Sequence, residues 1–203
     1  MRTKTLAMAA AAVAALSLAA CGQGESGGAP DQQNQAANTV QDTTAGAVGA
    51  VAAPVAAATN ESFVTNAAIG GMYEVEAGKI AAMRSTNPAI KAFGSKMVAD
   101  HTAAGEKLKP LATALNLTIP AMMDQRHQGL IDNLRGATDQ DFDRVYLQQQ
   151  EAAHNETKAL LEAFGMTSND ATLKTWASET LPTVTAHQAM VDQMDEANAD
   201  AAK

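Results

Sequence analysis

Between residues 61 and 199 apolar residues recur every three or four positions almost without interruption, and no segment alternates strictly between apolar and polar. That period belongs to helices, since a half-buried strand repeats every second residue. Asn87-Pro88 ends the first run, which predicts helix one over 61–85. Helix two then starts on the proline, whose missing N–H is harmless in a first turn. It extends to about 116, and Pro110 is expected to kink it or end its first part. After Leu117-Thr118-Ile119-Pro120 a shorter piece over 122–134, stopped by Gly136, reads as a connector that does not build the core. Helix three begins near 138–139, where Thr138 can cap, and ends at Phe164-Gly165. Helix four covers 170–198, with Pro182 implying a kink about one turn before His187. Long helices of about 25 to 29 residues span roughly 40 Å. The pattern predicts an all-α fold: an antiparallel four-helix bundle with a short extra helix between helices two and three. No fixed internal period supports a repeat array.

The helical faces carry unexpected polar residues. In helix two Ile90, Phe93, Met97, His101, Leu108 and Leu115 form one stripe, with His101 on a heptad line with Gly94, Leu108 and Leu115. In helix three Leu147, His154 and Leu161 stand seven apart, beside Tyr146, Leu160 and Phe164. Helix four repeats the arrangement in Leu173, Trp176, Val184, His187, Val191 and Met194. Three of the four histidines therefore face inward from three helices. His127, on the short connector, is expected at the surface. One buried imidazole satisfied by a hydrogen bond is ordinary. Three near mid-helix in one bundle point to a shared metal ion, which would satisfy them together.

Helix one offers Glu74 and Glu76, two residues apart and so on nearly opposite sides. Glu74 lies with Phe63, Ala67, Gly70, Gly71, Ala77, Gly78 and Ala81, a face whose small residues permit close helix approach, and Gly70-Gly71 reads as close packing. Glu76 neighbours Lys79 and suits a solvated rim. Glu74 is the expected fourth ligand.

The first sixty residues concern placement in the cell. Arg2 and Lys4 precede an apolar run over 6–16 that is too short to span a bilayer, and Leu18-Ala19-Ala20-Cys21 resembles the lipobox of bacterial lipoproteins. Residues 1–20 are predicted to be a lipoprotein signal peptide and Cys21, the one cysteine, the lipidated residue. Gly22 in place of an aspartate favours the outer membrane facing the periplasm. Residues 21–60, rich in Ala, Gly and Gln, cannot bury enough apolar area to offset the entropy of ordering, and read as a flexible tether to a bundle over 61–199. Loss of Arg2 and Lys4 takes the formal net charge from −8 to −10. With no basic cluster, a nucleic-acid partner is not expected. The membrane, through lipid on Cys21, is the one partner implied, and no protein partner is legible.

The segments FVTNAAIGGMYEVEAGKIA, FGSKMVADH, FDRVYL with its later histidine, and LPTVTAH resemble the bacterial family called domain of unknown function 4142, grouped with ferritin-like proteins and often secreted or lipid-anchored. The resemblance runs over residues 62–195 and implies a ferritin-like four-helix bundle. It brings no established activity. Ferritin-like di-iron sites use a Glu-x-x-His pair on each of two helices and a lone glutamate on each of the others. Glu151-x-x-His154 fits, but Val98 and Val184 stand where the pairs with His101 and His187 need glutamate. A full di-iron centre is therefore not expected. What remains is a single-ion site of Glu74, His101, His154 and His187, with Asp100 or Glu151 as a further ligand or as an acceptor that orients an imidazole, and Glu76 as a further neighbour. Zn, Fe, Mn and Cu all suit such donors. Met97, Met190 and Met194 lie on the same stripes, where methionine more often fills a core than binds copper. Storage, buffering, sensing or a stress-related role fits such a site. The alternative is a structural or protein-interaction bundle, without metal, whose histidines are hydrogen-bonded in the core. An enzyme ranks third, because neither a nucleophile with its base nor a phosphate-binding loop is present.

Overall fold

The computed structural model describes residues 59–201, and the proposed signal, Cys21 and tether over 21–58 lie outside them. Five helices follow one another: α1 (Asn60–Arg84), α2 (Pro88–Ala114), α3 (Gln125–Gly136), α4 (Phe142–Thr167) and α5 (Ala171–Ala201). There is no strand among the described residues. No described helix is long and apolar enough to cross a membrane.

Local chemistry sets most boundaries. Thr59 accepts from the Ser62 amide at 3.1 Å, and Asn87 accepts from Ala89 at 2.9 Å with Pro88 in the first turn. Asp124 and Asp170 accept from the His127 and Leu173 amides, each at 2.8 Å. Each side chain satisfies one N–H that a helix start leaves without a partner. Asn116, at φ 56°, turns the chain out of α2 while the Leu117 amide bonds Ala112 O at 2.9 Å. Thr138 caps a turn ahead of α4, accepting from the Asp141 amide at 3.2 Å, so the helix proper starts at Phe142, later than expected. It also runs on past Gly165. Neither Pro110 nor Pro182 ends its helix. Both prolines are exposed, as are Glu106 and Ser178, whose carbonyls they free, and water can satisfy these groups.

Each long helix packs on two others: α1 on α2 and α4, and α5 on α2 and α4. The buried apolar side chains form two clusters. One holds Tyr73, Ile80, Phe93, Met97, Tyr146 and Val191 among others; the second holds Phe63, Leu108, Leu161, Phe164, Trp176 and Val184. Helices α2 and α4 meet the first cluster before the second, and α1 and α5 meet them in the reverse order. Packed neighbours therefore run antiparallel, and the segment from 115 to 141 returns the chain from one end to the other.

That crossover builds core, contrary to expectation. Ile131 and Leu134 of α3 and the following Ala137 are buried in the first cluster. Arg84 locks them to α1 by donating to the carbonyls of Leu134, Arg135 and Ala137 at 2.8–3.0 Å, with its guanidinium 4.7 Å from the Phe142 ring centroid. The periodicity of α3 is short, and its polar outer face hid the apolar one.

Of the small-residue face of α1, Gly78 makes a close helix approach and Gly70-Gly71 does not. A Cβ on Gly71 would meet nothing within 4 Å, and one on Gly70 only Thr157 Oγ1 at 3.8 Å. Gly78 and Gly94 instead touch across α1 and α2: a Cβ on Gly78 would sit 2.6 Å from Gly94 O, and one on Gly94 2.7 Å from Gly78 O. Gly78→Ala is therefore expected to destabilise the protein by about 1–3 kcal/mol through forced separation of the helices. Gly71→Ala is expected to stabilise it by about 0.4–1 kcal/mol through helix propensity and a less free unfolded chain. Urea denaturation of the two variants measures both, and equal midpoints would contradict the assigned crossing.

Candidate metal centre

His101 of α2, His154 of α4 and His187 of α5 stand at the level between the two apolar clusters. Their ring centroids are 5.5 to 6.1 Å apart. One ring nitrogen from each lies within 4.8 Å of one from each of the others. Phe93 walls the group, with its centroid 6.3 Å from His154 and 6.0 Å from His187.

The hydrogen bonds assign the tautomers. His154 Nδ1 is 2.7 Å from Gln150 O, and a carbonyl can only accept, so Nδ1 carries the proton and Nε2 keeps a lone pair. His187 Nε2 is 2.8 Å from Asp100 Oδ2. The carboxylate accepts, which leaves the lone pair on Nδ1. His154 Nε2, His187 Nδ1 and His101 Nε2 are all buried and without a hydrogen-bond partner. Unpaired buried polar atoms are uncommon and each costs about 1–3 kcal/mol. Three in one place, two of them with their lone pairs assigned, form a donor set.

Electrostatics keeps that set available. Burial pushes His101 down to about 3, with further lowering from His154 and His187. Burial likewise pushes His154 down to about 4, although the Gln150 carbonyl opposes it. His187 is lowered by burial against the opposing pull of Asp100. Burial alone would raise the Asp100 carboxyl, but hydrogen bonds from Lys96 and His187 hold it below the usual range. Lys96 Nζ lies 2.8 Å from the same oxygen that receives His187. At neutral pH all three rings are uncharged, the form in which imidazole binds metals.

Of Glu74 and Glu76 in α1, Glu74 faces the interior, at 1% exposure. It does not join the three-histidine group. Its Oε2 accepts from Gln150 Nε2 at 2.7 Å and its Oε1 is 3.7 Å from His154 Nδ1, the nitrogen bonded to Gln150 O. Burial raises its carboxyl to about 8, only partly offset by Gln150. With Glu74 largely protonated and His154 neutral, their contact at pH 7 is not an ion pair. Glu76 is on the rim, paired with Arg135 at 2.6 Å and Lys79 at 3.8 Å. Glu151 is exposed and absent from the group. His127, with its side chain only 12% exposed, bonds Asp124 through Nδ1 at 2.7 Å and lies outside the group. Met97 is buried in the first apolar cluster, and Met190 and Met194 pack against it.

Gln150 is the residue that sequence reasoning missed. It is fully buried and ties Glu74 to His154, one through its side chain and one through its carbonyl. The signal was present: Gln150 precedes His154 by four residues and shares its face, while Gln149 beside it accepts from the Tyr73 hydroxyl of α1 at 3.0 Å.

A model of the family described as a domain of unknown function (DUF4142) matches residues 30–194. The chain belongs to the DUF4142 family. No curated protein matches it in sequence. A solved structure described as CopM in the Cu(II)-bound form is similar in fold, with a TM-score of 0.58, 16% identity, and coverage of 66% of this chain and 93% of that one.

Proton linkage gives the site a pH signature in the metal-free protein. The unfolded histidines bind protons below about 6.5 while the folded ones resist, so their contribution to stability is lost as pH falls from 6.5 toward 4. Glu74 has the opposite sign: its raised pKa favours the folded state below about 4.5 and that contribution is lost as pH rises toward 8. Three groups oppose one between 4.5 and 6.5, so stability is expected to peak near pH 6.5 and fall on both sides. Chemical denaturation in chelator checks this, and Glu74→Gln should flatten the alkaline limb and steepen the acid limb, where Glu74 no longer opposes the histidines. An alkaline limb unchanged by that substitution would contradict the burial assigned to Glu74.

Proposed function

We propose that this DUF4142 protein binds one transition-metal ion through His101 Nε2, His154 Nε2 and His187 Nδ1, as a cell-envelope protein that stores, buffers or senses metal. The observation that carries this reading is the convergence of three histidines, a ring nitrogen of each within 4.8 Å of the others, each ring having a buried nitrogen without a hydrogen-bond partner. Metal–imidazole bonds of about 2.0–2.1 Å place nitrogens roughly 3.4 Å apart around an ion, so a modest contraction of the 4.8 Å group suffices. Copper is the favoured ion: divalent affinity at nitrogen donors peaks at Cu(II), and the similar fold of CopM is known in a Cu(II)-bound form.

The surrounding residues fit the charge of such an ion. Asp100 holds the outer nitrogen of His187 and supplies a negative charge beside a dication, and Glu74, behind His154, is a carboxyl that a dication would draw toward its ionised form. Glu74 is thereby reassigned from ligand to support, beside Asp100. The long crossover between α2 and α4, with antiparallel neighbours on either side, is the arrangement of ferritin-like bundles, and we assign the chain to that topology. Cys21 remains the proposed lipid attachment, placing the bundle at the outer membrane on the periplasmic side. Cys21→Ser is expected to move the protein from the membrane to the soluble fraction.

Protein purified without chelator is expected to carry or accept one equivalent of Cu(II). Free metal at a hundredfold excess over Kd should add about 2.7 kcal/mol of stability. His154→Ala should abolish stoichiometric binding, whereas Asp100→Asn should weaken it about 10–100-fold. If none of Cu, Zn, Fe or Mn binds stoichiometrically or raises Tm, the histidines belong to a structural or protein-interaction bundle instead.

A further inference from the structure

A cavity of about 390 Å³ adjoins His101, bounded by all four long helices and by the segment between α2 and α3. Leu108, Leu161, Trp176 and Val184 wall one part of it, and Ile119 and Met123 of the crossover another. Two glycines of its lining, Gly71 and Gly105, face open space, since a Cβ on either would meet nothing within 4 Å. The charged residues of the lining compensate each other: Lys79 lies 3.8 Å from Glu76, which also pairs with Arg135 at 2.6 Å. The cavity therefore offers mainly apolar walls, the hydroxyl-bearing side chains of Thr102, Thr157 and Thr180, the His101 ring and no uncompensated charge.

Size and charge narrow the occupant. An apolar cavity of about 150 Å³ takes benzene, and small-molecule sites start at about 300 Å³. A charged ligand would lose its hydration here without gaining a partner. We propose that this cavity is a binding site for a small, neutral, mainly apolar molecule of about two fused rings, held beside His101. The site is distinct from the metal centre in ligand and chemistry, sharing only His101 as a wall, and it does not require that an ion bind.

The molecule carries its own reporter, because Trp176 is its one tryptophan and lines the cavity, anchored by a 3.2 Å hydrogen bond from Nε1 to Ala104 O. The full chain in chelator is titrated with coumarin, a neutral bicyclic lactone, following Trp176 fluorescence and heat of binding. Saturable one-to-one binding is expected, with Kd of about 0.1–1 mM for a ligand of this size. Anionic 1-naphthalenesulfonate should bind about tenfold or more weakly in comparison. Gly71→Leu fills the cavity and should weaken coumarin binding at least about tenfold while keeping wild-type helicity; Gly105→Leu serves the same purpose if that variant fails to fold. Absence of saturable coumarin binding overturns the proposal, as does equal affinity in a folded cavity-filling variant. Neither result bears on metal stoichiometry, so the two readings fail separately.

Discussion

The bundle is organised around a polar level that interrupts its core. Two apolar clusters, one around Phe93 and Tyr146 and the other around Phe63, Phe164 and Trp176, would merge if residues 101, 154 and 187 were leucine. Three imidazoles stand there instead. Each carries a nitrogen that burial deprives of water and that no neighbour satisfies. Such atoms work against folding unless something binds them, so the level is intelligible as a site and costly as mere packing. The apolar clusters on both sides fix the height at which the three helices present their rings.

The rings are not equivalent. His154 is held by the carbonyl one turn earlier in its own helix, which makes its orientation a local matter. His187 depends on Asp100 from another helix, and through it on Lys96 at the surface. Change at that partly exposed pair reaches the buried level through a single imidazole. Glu74, Gln150 and His154 make a second chain, wholly internal, in which a carboxyl held largely neutral at pH 7 stands behind a ring. A cation at the level would favour its ionised form.

Much of this was legible in the chain because helical periodicity is local. Residues seven apart share a face whatever surrounds them, so Leu147, His154 and Leu161, or Val184, His187 and Val191, could be placed inward without coordinates. The choice of Glu74 over Glu76 as the inward glutamate followed from the small residues around it. Where neighbours on one face compete, the pattern is silent: Glu151 and Gln150 both lie about one turn before His154, and rotation of α4 by a fraction of a turn decides that Gln150 is buried and Glu151 exposed. Close packing was legible only in part, for the same reason. Gly70-Gly71 and Gly78 are equally small, and only the crossing of α1 over α2 selects Gly78 and Gly94.

The sequence by itself determined the helices, their inward faces and the presence of one histidine on each of three such faces. Those properties depend on hydrogen bonds and side-chain directions within a few residues of each other. Tertiary structure alone decided that the three rings meet at one height, with a nitrogen of each within 4.8 Å of the others, and that Glu74 meets Gln150 and His154 outside that group. The physical reason is that convergence across helices depends on their relative shift, at 1.5 Å per residue, and on their rotation, at about 100° per residue. Both are set by how two apolar clusters pack, and no single helix encodes them.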